Sequence, residues 1–221
     1  MPPVIVAIDG PAASGKGTLA RRLAEHFGLA HLDTGKLYRA TAFLVLAAGG
    51  DPANPAAATE AARRVDPARL ADPALLTEEV AQASSIVAAI PAVRGALLDR
   101  QRDFAAHPPP PFRGAVLDGR DIGTAVCPDA TVKLFVTASP EARAERRLQE
   151  LRERGATVIY GDVLQDMKER DARDSERRVA PLAAAPDAVT IDTTGLDADQ
   201  VFGLASEIIA RALAAHGIGP R

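Results

Sequence analysis

Cysteine occurs once in the 221 residues, at Cys127, so no internal disulfide framework can form and the fold must rest on its own core. Flanked by Ala125 and Val126, that cysteine reads as a small buried hydrophobe rather than a nucleophile. Tryptophan is absent and aromatics make up only 4%, a compositional bias without functional content. No apolar run reaches the roughly eighteen residues of a membrane span. A basic stretch followed by an apolar one is also missing at the start, which enters a strand almost at once, so a cytoplasmic location is expected. Positive charge is not in excess: the net charge is −3, which argues against a polymeric nucleic acid as partner. His26, His31, His107 and His216 have no ligand-like spacing, and no zinc site is expected. A hydrophobic fraction of 47% and a charged fraction of 25% are those of an ordinary globular domain, here long enough for one core with small appendages.

Against these absences stands one dense stretch, Val4-Ile5-Val6-Ala7-Ile8-Asp9-Gly10-Pro11-Ala12-Ala13-Ser14-Gly15-Lys16-Gly17-Thr18. A β-branched apolar run ends in a glycine-rich loop, then a lysine, then the start of a helical pattern. The spacing G-x-x-x-x-G-K from Gly10 to Lys16 is that of a P-loop, whose backbone N–H groups cradle nucleotide phosphates. Gly10, Pro11, Ala12, Ala13, Ser14, Gly15, Lys16, Gly17 and Thr18 are therefore the candidate ATP-binding residues. Lys16 supplies a point charge for the β- and γ-phosphates. The hydroxyl expected directly after the lysine comes one place later, so Thr18 is the candidate for Mg²⁺. This G-K-G-T variant suits small-molecule and nucleoside monophosphate kinases better than GTPases.

Residues 4–8 read as a buried parallel strand, and the following helix carries Leu19, Leu23 and Phe27 on one face before Gly28 stops it. A second strand over 29–32 delivers Asp33-Thr34-Gly35 to the carboxyl edge of the sheet, where ligands of open α/β sheets sit. A helix over 37–48 follows. Residues 49–73 form an Ala- and Pro-rich excursion with short helical pieces. Thr77 caps a helix to about residue 90, Pro91 opens another to about 104, and His107 with the prolines after it closes that one. Strands are expected over 115–118, 131–136 and 188–192. Helices are expected over 139–154, 162–174 and 197–215, the last packing Val201, Ala205, Ile208 and Ala212 on the sheet. Strands separated by helices throughout give an α/β fold with a five-stranded parallel sheet.

Charge in residues 143–178 is nearly balanced, so ion-paired solvated helices are the ordinary reading of most of it. Arg170, Arg173 and Arg177 stand apart. Spaced by three and four, they stack on one helical face, where like charges repel by roughly a few tenths of a kcal/mol per pair. Asp174 offsets part of this, and a polyphosphate lying on that face offsets the rest. Arg39 and Arg120 follow strand ends and so fall at the ligand edge. An acceptor that is itself a phosphate needs no general base, since its second pKa of about 6 leaves it ionised at neutral pH.

Four blocks then carry a specific resemblance: Gly10-Pro11-x-x-Ser14-Gly15-Lys16-Gly17-Thr18, Leu32-Asp33-Thr34-Gly35-x-x-Tyr38-Arg39, Leu117-Asp118-Gly119-Arg120-Asp121-Ile122-Gly123-Thr124, and Glu169-Arg170-Asp171-x-Arg173-Asp174-x-x-Arg177, continued by Val179-Ala180-Pro181-Leu182. In order and extent the chain resembles the bacterial cytidylate kinases. The resemblance implies transfer of the γ-phosphoryl of ATP to CMP or dCMP with Mg²⁺. It implies catalytic roles for Lys16, Arg120 and Arg177, and a phosphate-holding role for Arg39, Arg120 and Arg177. Ser85, Arg94 and Asp121 would face the cytosine, Arg170 and Asp174 the sugar, and Thr34 stands where the family commonly has serine. It further implies a monomer with a core at about 1–36, 105–150 and 180–221, a monophosphate-binding part at about 37–104 and a lid at about 151–178. Family members often carry a small β insert in the monophosphate-binding part, for which residues 49–79 are short. A UMP or AMP kinase and a slowly hydrolysing nucleotide switch are the alternatives.

Overall fold

The computed structural model describes residues 3–215; His216 and the outermost positions of the expected core, 1–2 and 216–221, lie outside them. Strand β1 (Val4–Asp9) is central, and its last four residues are all buried. Its side chains alternate between two cores. Val6 and Ile8 pack with Leu19 and Leu23 of α1 (Lys16–Phe27) and with Val201, Ala205 and Ile209 of the final helix, α8 (Ala198–Ala215). Ala7 faces the opposite layer, with Leu117, Ile122, Val126 and Ala105. Cover on both faces is why β1 reads as a continuous apolar run rather than an alternating one. The line of α8 that sits deepest is Val201, Ala205, Ile209 and Leu213, spaced by four throughout. It shares Val201 and Ala205 with the expected face, while Ile208 and Ala212 are partly buried at its flank.

The sheet order is β2-β3-β1-β4-β5, every pair parallel, with β2 at Ala30–Asp33, β3 at Gly114–Gly119, β4 at Val132–Thr137 and β5 at Val189–Asp192. Register aligns the carboxyl ends: Asp9 lies beside Gly119, and Asp33 beside Asp118. The acidic ends of three strands therefore converge at the edge where the glycine-rich loop leaves β1.

Between β2 and β3 the chain forms α2 (Thr34–Ala47), α3 (Pro55–Arg63), α4 (Glu78–Ala88) and α5 (Pro91–Ala106), joined by 3-10 turns and containing no strand. The local sequence explains the short pieces. Asn54-Pro55, Asp66-Pro67 and Asp72-Pro73 each place a side-chain cap before a proline at the first helical position, and each cap oxygen accepts from the backbone two residues on. Ile90, extended because Pro91 follows, turns α4 into α5 through 98°. Leu37, Val45, Val80, Val87, Val93 and Leu97 form the core of this helical layer. No single helix among the described residues is long and apolar enough to cross a membrane.

Two elements begin or end where the sequence reading did not put them. Helix α2 starts at Thr34, so Asp33-Thr34-Gly35 is a strand end and a helix start rather than a loop. Residues Ile122–Val126, for which the sequence reading gave no element, form a π-type turn. After β4, α6 (Pro140–Glu153) and α7 (Tyr160–Glu176) pack as a hairpin through Ala144, Leu151, Val163 and Met167. Cys127 is buried, and burial pushes its thiol up to about 11, which keeps it from acting as a nucleophile.

Candidate active site

The loop after β1 is shaped by glycine where nothing larger fits. A Cβ on Gly10, at φ 155, would lie 2.0 Å from the Val136 carbonyl oxygen. Gly15, in the left-handed region at φ 87, precedes α1 without a side-chain cap, and no acidic residue occupies the first turn. The helix start thus keeps its N–H groups and positive dipole end available to an anion. Lys16 Nζ donates to the Pro11 carbonyl at 2.9 Å, which arches the side chain over the loop. Burial, and then repulsion from Arg120, pulls its ammonium down to about 7. Ser14 Oγ is buried with no partner among the described residues.

Lys16 and Gly17 open on a cavity of about 460 Å³ shared with Ala12, Ala13, Asp33, Arg39, Asp118, Arg120, Arg147 and Arg170. Four guanidinium groups reach it from four elements: α2, the end of β3, α6 and α7. Arg170 is held down to about 10, by burial first and then by Arg120, and its Nε is buried without a partner among the described residues. Arg39 is likewise lowered, by burial and then by Arg147. Carboxylates also line the chamber: Glu78 and Glu150, both paired with Arg147, then Asp162 and Asp166, and Asp33 and Asp118 beside Lys16 on neighbouring strands. Lys16, Arg39 and Arg170 have none at ion-pair distance among the described residues, and burial with the neighbouring cations lowers each of them. Burial and the nearby Asp118 charge raise Asp33 above the usual carboxylate range. Asp118 accepts from His31, with Oδ1 2.7 Å from Nε2, and faces Gly17 from below.

Thr34, Arg39, Ser85, Arg94, Arg120, Asp121, Arg170, Asp174 and Arg177, every residue expected around an acceptor, line one smaller cavity of about 60 Å³ with Tyr38 and Gly119. Here Arg94, Arg120 and Arg177 each have a carboxylate, while Arg39 donates to the Leu75 carbonyl at 2.9 Å. Asp121 pairs with Arg94 through one oxygen and lies 3.4 Å from Arg177 through the other. Arg120 Nε donates to Asp174 Oδ2 at 2.9 Å. Burial would raise Asp174, but Arg120 and Arg170 outweigh it and hold the carboxyl below its ordinary value. Arg94 lies over the Tyr38 ring, 5.5 Å from its centroid, and Thr34 Oγ1 donates to the Asp118 carbonyl at 2.8 Å. Beneath the cavity, both carboxylate oxygens of Asp9 accept backbone N–H groups, from Ile122 and Gly123 at 2.7 Å each. This fixes the turn that follows Asp121. Burial first lifts the Asp9 carboxyl to about 6, against the pull of those two donors.

One sequence expectation needs correcting, and one expected residue lies apart from the others. Arg170, Arg173 and Arg177 do not share one helical face toward an anion, because α7 ends at Glu176 and Arg177 is extended beyond it. Arg170 alone lines the large cavity; Arg177 reaches Asp121 and the Ala180 carbonyl. Arg173 turns to α4, donating to Ser85 Oγ and Gln82 Oε1 at 3.1 Å each. Thr18 is exposed and lines a separate cleft of about 580 Å³ on the far side of the loop, between α1, α6 and the residues after β5.

Other groups went unread. Arg143, buried on α6, donates to the Ala138 carbonyl at 3.0 Å and the Ala12 carbonyl at 3.3 Å, and forks onto Asp171 of α7 at 3.1 and 2.6 Å. It thereby ties the loop to the α6–α7 hairpin. Arg147 pairs with Glu78 at the start of α4. Neither pairing leaves a local sequence signal, since the partners are far apart in the chain and lie among many similar charges.

With this geometry in view, comparison with known proteins is direct. The cytidylate kinase family profile matches residues 6–211. The chain is 61% identical over 207 residues to the cytidylate kinase of Rhodospirillum rubrum, covering 94% of this chain and 97% of that one. It is 62% identical over 205 residues to that of Paramagnetospirillum magneticum, covering 93% and 97%. Among solved structures, an uncharacterized protein from Eubacterium ventriosum superposes with a TM-score of 0.52 at 15% identity, over 93% of this chain and 98% of that one. A sugar kinase from Janibacter gives 0.50 at 15% identity, over the whole of both chains. These two speak to the fold alone. Profile and relatives together establish that the chain belongs to the cytidylate kinase family.

Proposed function

We propose that this protein transfers the γ-phosphoryl group of ATP to CMP and dCMP, giving CDP and dCDP. The observation that carries the reading is the adjacency of two unlike sites. A chamber holds Lys16, Arg39 and Arg170, none of them ion-paired among the described residues, beside Arg120 and Arg147, and it abuts a cavity where Asp121 is held between two guanidiniums. The first suits phosphates; the second suits a neutral base.

On this reading the donor triphosphate lies along residues 10–18 and its nucleoside in the cleft beside Thr18 and Arg146. The acceptor phosphate meets Arg39 and Arg120, while the sugar meets Arg170 and Asp174. Arg177, through Asp121, braces the base-reading group and remains within reach of the acceptor. Lys16 and the arginines neutralise charge spread over the transferring group, and the α6–α7 hairpin excludes water from it. The acceptor oxygen is already ionised at neutral pH, so no side chain has to remove a proton. Cytosine offers an amino donor to Asp121 and acceptors to Ser85 and Arg94. Uracil would turn a carbonyl toward the Asp121 carboxylate, and a buried polar site penalises such a mismatch strongly.

Magnesium suits hard oxygen donors: Asp33 and Asp118, which line the chamber with Lys16 and Gly17, would hold the ion, with the Thr18 hydroxyl at the far side of the loop. It would supply positive charge against the phosphates. We assign the core, acceptor part and lid to about 1–36 with 105–150 and 180–221, to 37–104 and to 151–178, in a cytoplasmic monomer.

The test is a panel of monophosphates with ATP and Mg²⁺. CMP and dCMP are expected well ahead of UMP and AMP. Equal use of all four would remove the cytosine assignment, and nucleotide binding without any transfer would favour a switch.

A further inference from the structure

Arg173 reaches neither the phosphate chamber nor the acceptor cavity, although it stands among arginines that do. Its guanidinium instead crosses from α7 to α4 and makes two bonds one helical turn apart, Nε to Ser85 Oγ and Nη2 to Gln82 Oε1, both 3.1 Å. We propose that Arg173 is a specificity-determining positioning residue, which sets the hydroxyl of Ser85 as a hydrogen-bond donor toward the acceptor's base. The inference rests on the assignment of Ser85 and Asp121 to base reading.

The argument is one of hydrogen-bond polarity. A serine hydroxyl has one proton to give and two lone pairs to receive with, whereas a guanidinium only donates. Receiving a bond from Arg173 occupies a lone pair of Ser85 and leaves the proton to be placed elsewhere. Within a helix the usual acceptor is a carbonyl of the preceding turn, and the neighbouring Ser84 takes that course, donating to Ala81 O at 2.7 Å. Ser85 makes no such bond among the described residues. It is 4% exposed, and it lines the acceptor cavity with Arg94 and Asp121. A buried hydroxyl so placed presents its proton to the cavity.

That polarity separates the two pyrimidines at a second point. Cytosine carries an acceptor at its ring N3, and uracil carries an N–H there. A donor from Ser85 suits the first and faces a donor in the second. Asp121 reads the exocyclic group, so the two residues ask two different questions of one base. Gln82 fixes the other arm of the guanidinium, so that Nε, rather than a freely rotating group, meets Ser85. The strut also comes from α7, so the polarity of Ser85 is set only where that helix lies against α4.

The experiment compares kcat/KM for CMP and UMP in four proteins: the parent, Arg173→Met, Ser85→Ala and the double variant. Arg173→Met is expected to lower the CMP-to-UMP ratio about tenfold, the scale of one buried hydrogen bond, by losing CMP activity while UMP activity holds or rises. Ser85→Ala is expected to lower it by a similar factor, and little more in the Arg173→Met background, since the two act as a unit. Arg173→Lys, which can donate to Ser85 or Gln82 but not hold both in a fork, is expected to recover part of the ratio. An equal fall for both substrates, or fully additive effects in the double variant, overturns the proposal. If Arg173→Met does not fold, Arg173→Lys carries the test, and an unchanged ratio overturns it. A parent enzyme that fails to prefer CMP would instead overturn the reading on which this one rests.

Discussion

The phosphate chamber and the base cavity are built from the same residue types, and their charge is arranged in opposite ways. In the chamber burial and then Arg120 lower both Lys16 and Arg170, and Arg170 keeps a buried N–H without a partner among the described residues. In the cavity Arg94 and Arg177 share Asp121, and Arg120 rests on Asp174. On the proposed reading, the site for a highly charged ligand leaves Lys16, Arg39 and Arg170 without an ion pair among the described residues, so that the ligand's own charge completes it. A site for a neutral heterocycle is balanced beforehand and reads hydrogen-bond direction. Arg120 belongs to both, donating to Asp174 while lining the chamber, and is the natural link between acceptor position and transfer.

Breaking the unbalanced side is expected to cost most. Lys16→Ala should lower kcat by about 10²–10³-fold for every acceptor, the scale of losing one donor aimed at developing charge, with the CMP-to-UMP ratio unchanged. Steady-state rates across the monophosphate panel check this. A large change in the ratio would mean that the two sites are not separable.

On the balanced side, Asp121→Asn should lower kcat/KM for CMP on the order of 10²-fold and narrow the gap to UMP, since an amide can donate to the uracil carbonyl. It also leaves Arg94 and Arg177 without their shared anion. A fall in stability of up to about 3–5 kcal/mol is expected, readable as a lower midpoint in denaturant.

The comparison is sharpened by pH. With its pKa pulled down to about 7, Lys16 is charged below that value and largely neutral above it. Phosphates raise the pKa of a neighbouring ammonium, so ATP binding above pH 7 must take up a proton and weakens as pH rises, by up to about tenfold per unit. Calorimetry at pH 8 in two buffers of different ionisation enthalpy should show up to about one more proton taken up by the parent than by Lys16→Met. Equal uptake would show that the ammonium is already charged before the nucleotide arrives.

The smallest effect is expected at the pair that joins the regions from outside. Glu78, about two-fifths exposed, holds Arg147. Glu78→Gln should free that guanidinium for phosphates and lower KM for ATP by no more than about threefold, as befits a partly solvated pair.

Much of this was legible in the sequence, and the reasons are local. The run before Gly10 names β1, and the loop to Thr18 names the phosphate site, because loop geometry and helix start are written in consecutive residues. Asn54-Pro55, Asp66-Pro67 and Asp72-Pro73 announce their short helices in the same way. The residues expected around the acceptor do meet in one cavity; all but Ser85 and Arg94, which lie within α4 and α5, follow a strand end or lie in a motif. The arginines of α7 were harder. Equal spacing on a helix says which side chains are neighbours, but not what each finds opposite.

What the sequence determined by itself is therefore the fold class, the family and the set of residues that meet at the sheet's carboxyl edge, because periodicity, caps and motifs are properties of short stretches of chain. The partner of each charge was decided only by the tertiary structure. Arg170 points into the chamber, Arg173 to α4 and Arg177 to Asp121 because α7 ends at Glu176 and packs between two layers contributed by distant segments. Charges of one kind are interchangeable in a sequence. Burial and a fixed opposite group are what make them distinct.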